Sequence, residues 1–131
     1  RQDFTCPPLP RMTNTYMHGG DSSPEDILRS VTFGVFASDF DNGVVDTLTG
    51  DFNFTPKEAY LIESGKITAP ISNLLLIGNG PEVLKRVTMV GHDLKFSDTI
   101  WTCVKQGQEI PVSVGMPTIK IDNILMSSGT S

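Results

Sequence analysis

Residues 58–71 read Glu58-Ala59-Tyr60-Leu61-Ile62-Glu63-Ser64-Gly65-Lys66-Ile67-Thr68-Ala69-Pro70-Ile71. Two strand-forming runs, Glu58 to Glu63 and Lys66 to Ile71, flank Ser64-Gly65. Two β-prone runs separated by a two-residue Gly-containing turn are the local pattern of a β-hairpin. This is the strongest hairpin signal in the chain, and it sets the class: short strands joined by tight turns.

Outward from the hairpin the same pattern recurs. On the C-terminal side, Asn73 to Ile77, Thr99 to Val104, Glu109 to Val114 and Thr118 to Met126 read as strands, with Gly115-Met116-Pro117 as a tight connection between the last two. On the N-terminal side, Val35-Phe36-Ala37, Val44 to Leu48 and Phe52 to Phe54 read as strands, broken by turn signals at Asp41-Asn42-Gly43 and Thr49-Gly50-Asp51. Two helices interrupt the series. Ser22 or Ser23 caps the first, Pro24 takes its first position, Glu25 and Asp26 suit the positive end of its dipole, and Gly34 stops it. Asn79 caps the second, Pro81 opens it, Val83, Leu84 and Val87 form its apolar face, and Gly91 ends it. Residues 1–19 include Pro7, Pro8 and Pro10 and read as extended chain, and Ser127 to Ser131 read as a frayed tail. The expectation is one α+β, mainly β domain over 1–131: a mostly antiparallel sheet or barrel-like arrangement of about seven to nine short strands with two short helices.

Composition narrows the function classes. Net charge is −5 and no stretch clusters Lys and Arg. An acidic domain without a basic stripe lacks the phosphate contacts that supply most nucleic-acid affinity, and the same argument disfavours an anionic membrane surface. The longest apolar run, Leu74 to Ile77, is far too short to cross a bilayer. Two cysteines, Cys6 and Cys103, are too few for a disulfide scaffold. Reduced thiols are the simplest reading, with a single Cys6–Cys103 disulfide as the alternative. The chain starts at Arg1 with no initiator Met, so either residues were removed or this is a piece of a longer protein.

Motifs with chemistry are scarce. No P-loop, no GxGxxG following a strand and no GxSxG elbow is present. Gly78-Asn79-Gly80-Pro81 reads as a strand-to-helix turn, with anion binding as the lesser alternative. The soft-metal ligands are Cys6, Cys103, His18 and His92, and none lies at local ligand spacing. Cys103 has two readings: a small apolar residue packed beside Trp101 and Val104, or a functional thiol acting as metal-binding thiolate or nucleophile.

A set of stretches decides between them by resemblance. They are Pro10-Arg11-Met12-Thr13-Asn14-Thr15-Tyr16-Met17, Thr49-Gly50-Asp51-Phe52, Glu58 to Ile67, Leu76-Ile77-Gly78-Asn79-Gly80, Met89-Val90-Gly91-His92-Asp93-Leu94, and Cys103-Val104-Lys105-Gln106-Gly107-Gln108 with Pro111-Val112. In this order they resemble the C-terminal half of the TldD branch of the TldD/PmbA family, known in older naming as modulators of DNA gyrase. The resemblance implies a cytoplasmic zinc peptidase that cleaves unfolded or flexible peptides and pairs with a PmbA (TldE)-like subunit. It also implies zinc held by a helical HExxxH motif and a downstream Cys, and Cys103 aligns with that Cys. HExxxH is absent from these 131 residues, and the family carries it upstream. Cys103 is therefore the one expected metal ligand, no catalytic residue is expected in this stretch, and the isolated chain is expected to be inactive and to hold zinc weakly or not at all. Arg11, Thr13 and Asn14 are the expected substrate-binding residues; the alternative is an internal polar network fixing the Pro-rich segment. His92 stands where the family has Asn, and Cys6 receives no role. A non-catalytic module for subunit pairing is the competing function. Exposed apolar surface and strand edges predict self-association of this stretch on its own.

Overall fold

The computed structural model describes residues 1–98 and 100–128. Its elements run β1 (Asn14–Tyr16), α1 (Pro24–Arg29), β2 (Phe33–Val45), β3 (Asp51–Glu63), β4 (Lys66–Pro70), β5 (Leu74–Asn79), α2 (Gly80–Leu84), β6 (Val87–Val90), β7 (Lys95–Phe96), β8 (Trp101–Lys105), β9 (Gln108–Met116), β10 (Ile119–Ile121) and β11 (Leu125–Ser128). The class is α+β, mainly β, as the sequence implies. Among the described residues the strands form three sheets, none of which closes into a barrel. One has the order β11-β5-β3-β2 with β4 also on β3; a second runs β1-β9-β7 with β8 also on β9; β10 and β6 form a pair. Every strand pairing among these elements is antiparallel except β1 with β9.

The 58–71 hairpin forms where the sequence places it. Ser64 and Gly65 both take left-handed backbone, φ 50° and 73°, the geometry whose twist matches paired strands. The end of α1 docks on this turn. Ser64 N–H donates to Thr32 O at 2.7 Å and Gly65 N–H to Val31 O at 2.8 Å. Those bonds explain one departure from expectation. Ser23 caps α1 as predicted, accepting from Asp26 N at 3.0 Å, but the helix ends at Ser30 rather than Gly34. The Val31 and Thr32 carbonyls bond the hairpin turn, and Gly34 lies inside β2.

Other boundaries move for similar reasons. Asp41-Asn42-Gly43 is not a turn: β2 runs through it, with a register shift between Phe40 and Asn42. The reversal is made at Asp46–Gly50 instead. There the Asp46 carboxylate accepts from Leu48 N and Thr49 N, and Gly50 N donates to Asp46 O. Asn79 occupies the cap position of α2, but its amide donates to Thr49 O and Asp51 Oδ1, tying the helix to that turn. The helix stops at Leu84, and Val87 pairs with Ile121 in β6 rather than extending the helix to Gly91. The expected strand Thr118 to Met126 divides at Asn123, which has φ 56°; β10 joins β6, and β11 joins β5 in another sheet. β9 continues through Met116, so Gly115-Met116 is strand rather than connection. Thr99 and residues 129–131 of the expected tail lie outside the described residues, and Ser127 and Ser128 belong to β11.

The buried apolar residues are Ile27, Ala59, Ile62, Leu74 and Val112. This is a small core for the chain, and large apolar side chains remain outside it: Phe33 is 74% exposed, Leu48 95% and Val104 65%. Light scattering across a concentration series should show the chain associating, as exposed apolar patches and an uncovered edge along β2 favour. A monomer at high concentration is the contrary result.

Asp93 fixes the approach to β10. Its carboxylate accepts from Thr118 N at 3.0 Å and Thr118 Oγ1 at 2.7 Å. Partial burial pushes its pKa up, but the two Thr118 donors, the Asp93 N–H and nearby His92 together outweigh that and the net shift is downward. A carboxylate with a lowered folded-state pKa contributes stability above its unfolded pKa, and that contribution is lost as pH falls through the folded value. Thermal unfolding should therefore show wild type ahead of Asp93→Ala above about pH 5, with the gap closing below about pH 4.

Candidate functional site

β8 and β9 form a hairpin closed by Gln106-Gly107, both in left-handed backbone (φ 49° and 75°). Cys103 sits opposite Ile110 in this ladder. Following the register, Cys103, Trp101, Ile110 and Val112 share one face, with Thr15 of β1 beside Val114 on the same side. Asn14, opposite Ser113, and Tyr16, opposite Gly115, lie on the other face.

The Met-Thr-Asn segment and Cys103 are distant in sequence but adjacent in the fold. Arg11 Nη2 donates to the carbonyl oxygen of Cys103 and, at 3.0 Å, to that of Gln108. The Arg11 guanidinium beside the thiol, together with the Met12 N–H, holds the Cys103 pKa below the ordinary thiol value, against a smaller opposing effect of burial. Arg11 Nε and Nη1 are buried without an acceptor among the described residues. Cys103 itself is half-buried and unpaired, as is Cys6. A thiol whose pKa is lowered is partly prepared to act as thiolate, the form that binds metals and reacts with electrophiles. Iodoacetamide alkylation of Cys103 should accordingly reach half its limiting rate at a lower pH than an unperturbed thiol, and Arg11→Met should raise that pH.

The expected substrate string divides. Arg11 is turned inward onto the hairpin, whereas Thr13 and Asn14 are exposed and their side chains hydrogen-bond no described residue. Arg11 thus belongs to an internal network, while Thr13 and Asn14 face solvent. No metal-binding cluster gathers around Cys103 among the described residues. His18 stacks edge-on against Tyr16 at 5.2 Å, His92 occupies the bend after Gly91, and no cluster of three or more His, Cys, Asp or Glu side chains is present among the described residues.

Sequence reasoning missed Gln108. It is only 4% exposed; its Nε2 donates to Pro7 O at 3.0 Å and its Oε1 accepts from Gln2 N at 2.9 Å. In the sequence it stands only as the last residue of the Cys103 to Gln108 stretch, with no role of its own. The available signal was its company: a proline-rich segment has few N–H groups of its own, and must be held by side chains from elsewhere.

Residues 1–128 match the family described as the PmbA/TldA metallopeptidase C-terminal domain. The chain belongs to this family. It is 48% identical over 124 residues to the metalloprotease TldD homolog of Buchnera aphidicola subsp. Acyrthosiphon pisum, covering 95% of this chain and 26% of that protein. It is 46% identical over 124 residues to the metalloprotease TldD homolog of Haemophilus influenzae, again covering 95% of this chain and 26% of the relative. A zinc metalloprotease TldD homolog of Saccharolobus solfataricus is 32% identical over 116 residues, covering 88% and 26%. The chain thus spans about a quarter of the length of these relatives. Among solved structures, TldE from Thermococcus kodakarensis shares the fold with a TM-score of 0.69 at 22% identity, covering 87% of this chain and 23% of that one. A Thermotoga maritima protein described as a modulator of a DNA gyrase matches at 0.68 and 20% identity, covering 87% and 24%.

The family implies a metal, so the donors present must suit one. A half-buried thiol with a lowered pKa, reached by a cation and a backbone N–H, is a good single ligand for zinc. Among the described residues no group of three or more His, Cys, Asp or Glu side chains completes a metal site around it. No helix among the described residues is long and apolar enough to cross a membrane.

Proposed function

We propose that this chain is the C-terminal part of a TldD-like zinc metallopeptidase acting in the cytoplasm on unfolded or flexible peptides. In this reading Cys103 is the downstream zinc ligand, and the segment from Arg11 to Asn14 borders the substrate cleft. One observation carries it. The two motifs most distinctive of the resemblance, Arg11-Met12-Thr13-Asn14 and Cys103 to Gln108, meet in space through Arg11 although 92 residues separate Arg11 from Cys103.

Bound zinc supplies Lewis-acid activation of water and polarisation of the scissile carbonyl. The remaining ligands and the general base belong to the HExxxH motif, which these residues lack. This chain's own contribution is to bind and orient. Cys103 offers a thiol whose pKa is lowered by Arg11 and the Met12 N–H, which eases loss of its proton to a metal. Exposed Thr13 and Asn14 can hydrogen-bond a peptide backbone. A TldE-like subunit is the proposed partner; the TldE neighbour shares this fold, and the apolar side chains left outside the core suit an interface. That exposed surface also favours the second reading, a non-catalytic pairing module.

Metal analysis after dialysis tests the reading. The chain alone should retain far less than one equivalent of zinc and show no metal-dependent proteolysis. Stoichiometric zinc lost on Cys103→Ser in the chain alone would mean that Cys6, His18 or His92 converges on Cys103, and would overturn a site completed by HExxxH.

A further inference from the structure

The edge of β9 over residues 108–112, on the side away from β8, has no strand partner among the described residues; β1 begins to pair only at Ser113. The Pro-rich segment before β1 covers this edge. Pro7, Pro8 and Pro10 have no N–H, so a continuous backbone ladder cannot form there. Side chains make the connection instead. Gln108 holds Pro7 O and Gln2 N, Gln2 Oε1 accepts from Glu109 N at 2.8 Å, and Lys105 Nζ donates to Pro10 O at 3.2 Å. Arg11 closes the series by bonding one carbonyl on each strand of the hairpin, that of Cys103 on β8 and that of Gln108 on β9.

Stability alone is a poor reason for this arrangement. A cation whose Nε and Nη1 are buried without acceptors carries a desolvation cost that a methionine of similar length would avoid. What the guanidinium does achieve is geometric. A hairpin by itself is marginal and free to shift, and the Arg11 fork fixes the backbone of the one residue on β8 that bears a ligand. We infer that Arg11 is a positioning residue for Cys103, acting through the hairpin backbone, and that Gln108 completes the lock by holding the Pro-rich segment in place. This rests on the reading of Cys103 as a zinc ligand.

The test has two measurements. The first is the limiting, pH-independent alkylation rate of Cys103 in the 131-residue chain, where the thiol is fully ionised and the rate reports access and orientation rather than acidity. Arg11→Met and Gln108→Ala should each raise that limit toward the value of the urea-unfolded chain by about fivefold or more, as loss of a restraining hydrogen bond would. Arg11→Lys, which keeps a donor to the two carbonyls, should stay within about twofold of wild type. Circular dichroism identifies any variant that fails to fold, and Gln108→Ala carries the comparison if Arg11→Met does. The second is zinc affinity of the full-length holoenzyme, expected to fall roughly 10–100-fold in Arg11→Met and to recover in Arg11→Lys, the usual consequence of losing a group that orients a ligand. Unchanged limiting rates and unchanged zinc affinity in Arg11→Met, with zinc lost in Cys103→Ser, would overturn the positioning role and leave the ligand assignment standing. Zinc retained in Cys103→Ser would overturn the ligand assignment, and the positioning role with it.

Discussion

Gly65→Ala is expected to destabilise the chain by about 3 kcal/mol and lower its melting temperature by about 10 °C. Two costs combine. Gly65 sits at φ +73°, where a side-chain-bearing residue loses about 1–2 kcal/mol. A Cβ there would also lie 2.9 Å from Arg29 Cα and from Arg29 O. Those are backbone atoms of α1, fixed by the bonds from Ser64 and Gly65 to Thr32 and Val31, so relief requires the helix to lift from the hairpin. Gly107 is the control. It has nearly the same backbone, φ +75°, but nothing stands within 4 Å of the place a Cβ would take. Gly107→Ala should therefore cost only about 1 kcal/mol. Denaturant unfolding of both variants separates the two costs; equal losses would show that the α1 contact contributes nothing.

The contrast between these two turns also marks what the sequence reveals. The 58–71 hairpin was legible because its alternation and its turn residues agree with the pairing they adopt. The helix starts were legible too, from Ser23 with Pro24 and from Gly80-Pro81. The ends were not. Val31 and Thr32 leave α1 because the Ser64 and Gly65 amides take their carbonyls, and Val87 leaves α2 because Ile121 pairs with it. Such boundaries are set by partners distant in sequence, which local pattern does not encode. Asp41-Asn42-Gly43 misleads for a related reason. Its composition suits a turn, but Gly43 serves packing: a Cβ there would fall 1.9 Å from the Phe54 ring. The candidate site shows the same division. Cys103 and the Arg11–Asn14 string were identified by resemblance, whereas the inward turn of Arg11 and the burial of Gln108 depend on how a proline-rich segment meets the bare edge of β9.

Cys103→Ser should separate the two functional readings by the size of its effect. In the 131-residue chain the exchange replaces a half-buried thiol by a hydroxyl of similar volume, with Arg11 and the Met12 N–H still able to donate to it. Stability should change by no more than about 1 kcal/mol. On the peptidase reading, the same change in a full-length holoenzyme removes a thiolate ligand. A serine hydroxyl stays protonated near neutral pH and is a harder, weaker donor for zinc. Loss of a group that merely orients a ligand costs roughly 10–100-fold in metal affinity, so loss of the ligand itself should exceed about a hundredfold. Peptidase activity at limiting zinc should fall with it, while saturating zinc restores part of the loss. A pairing module predicts something different: neither metal content nor partner binding responds to Cys103→Ser, because the exposed apolar side chains that would make the interface are untouched. Metal analysis of the holoenzyme and its variant, with partner affinity measured on the same samples, distinguishes the two. Retained zinc with intact pairing would assign this domain to assembly rather than to the metal centre.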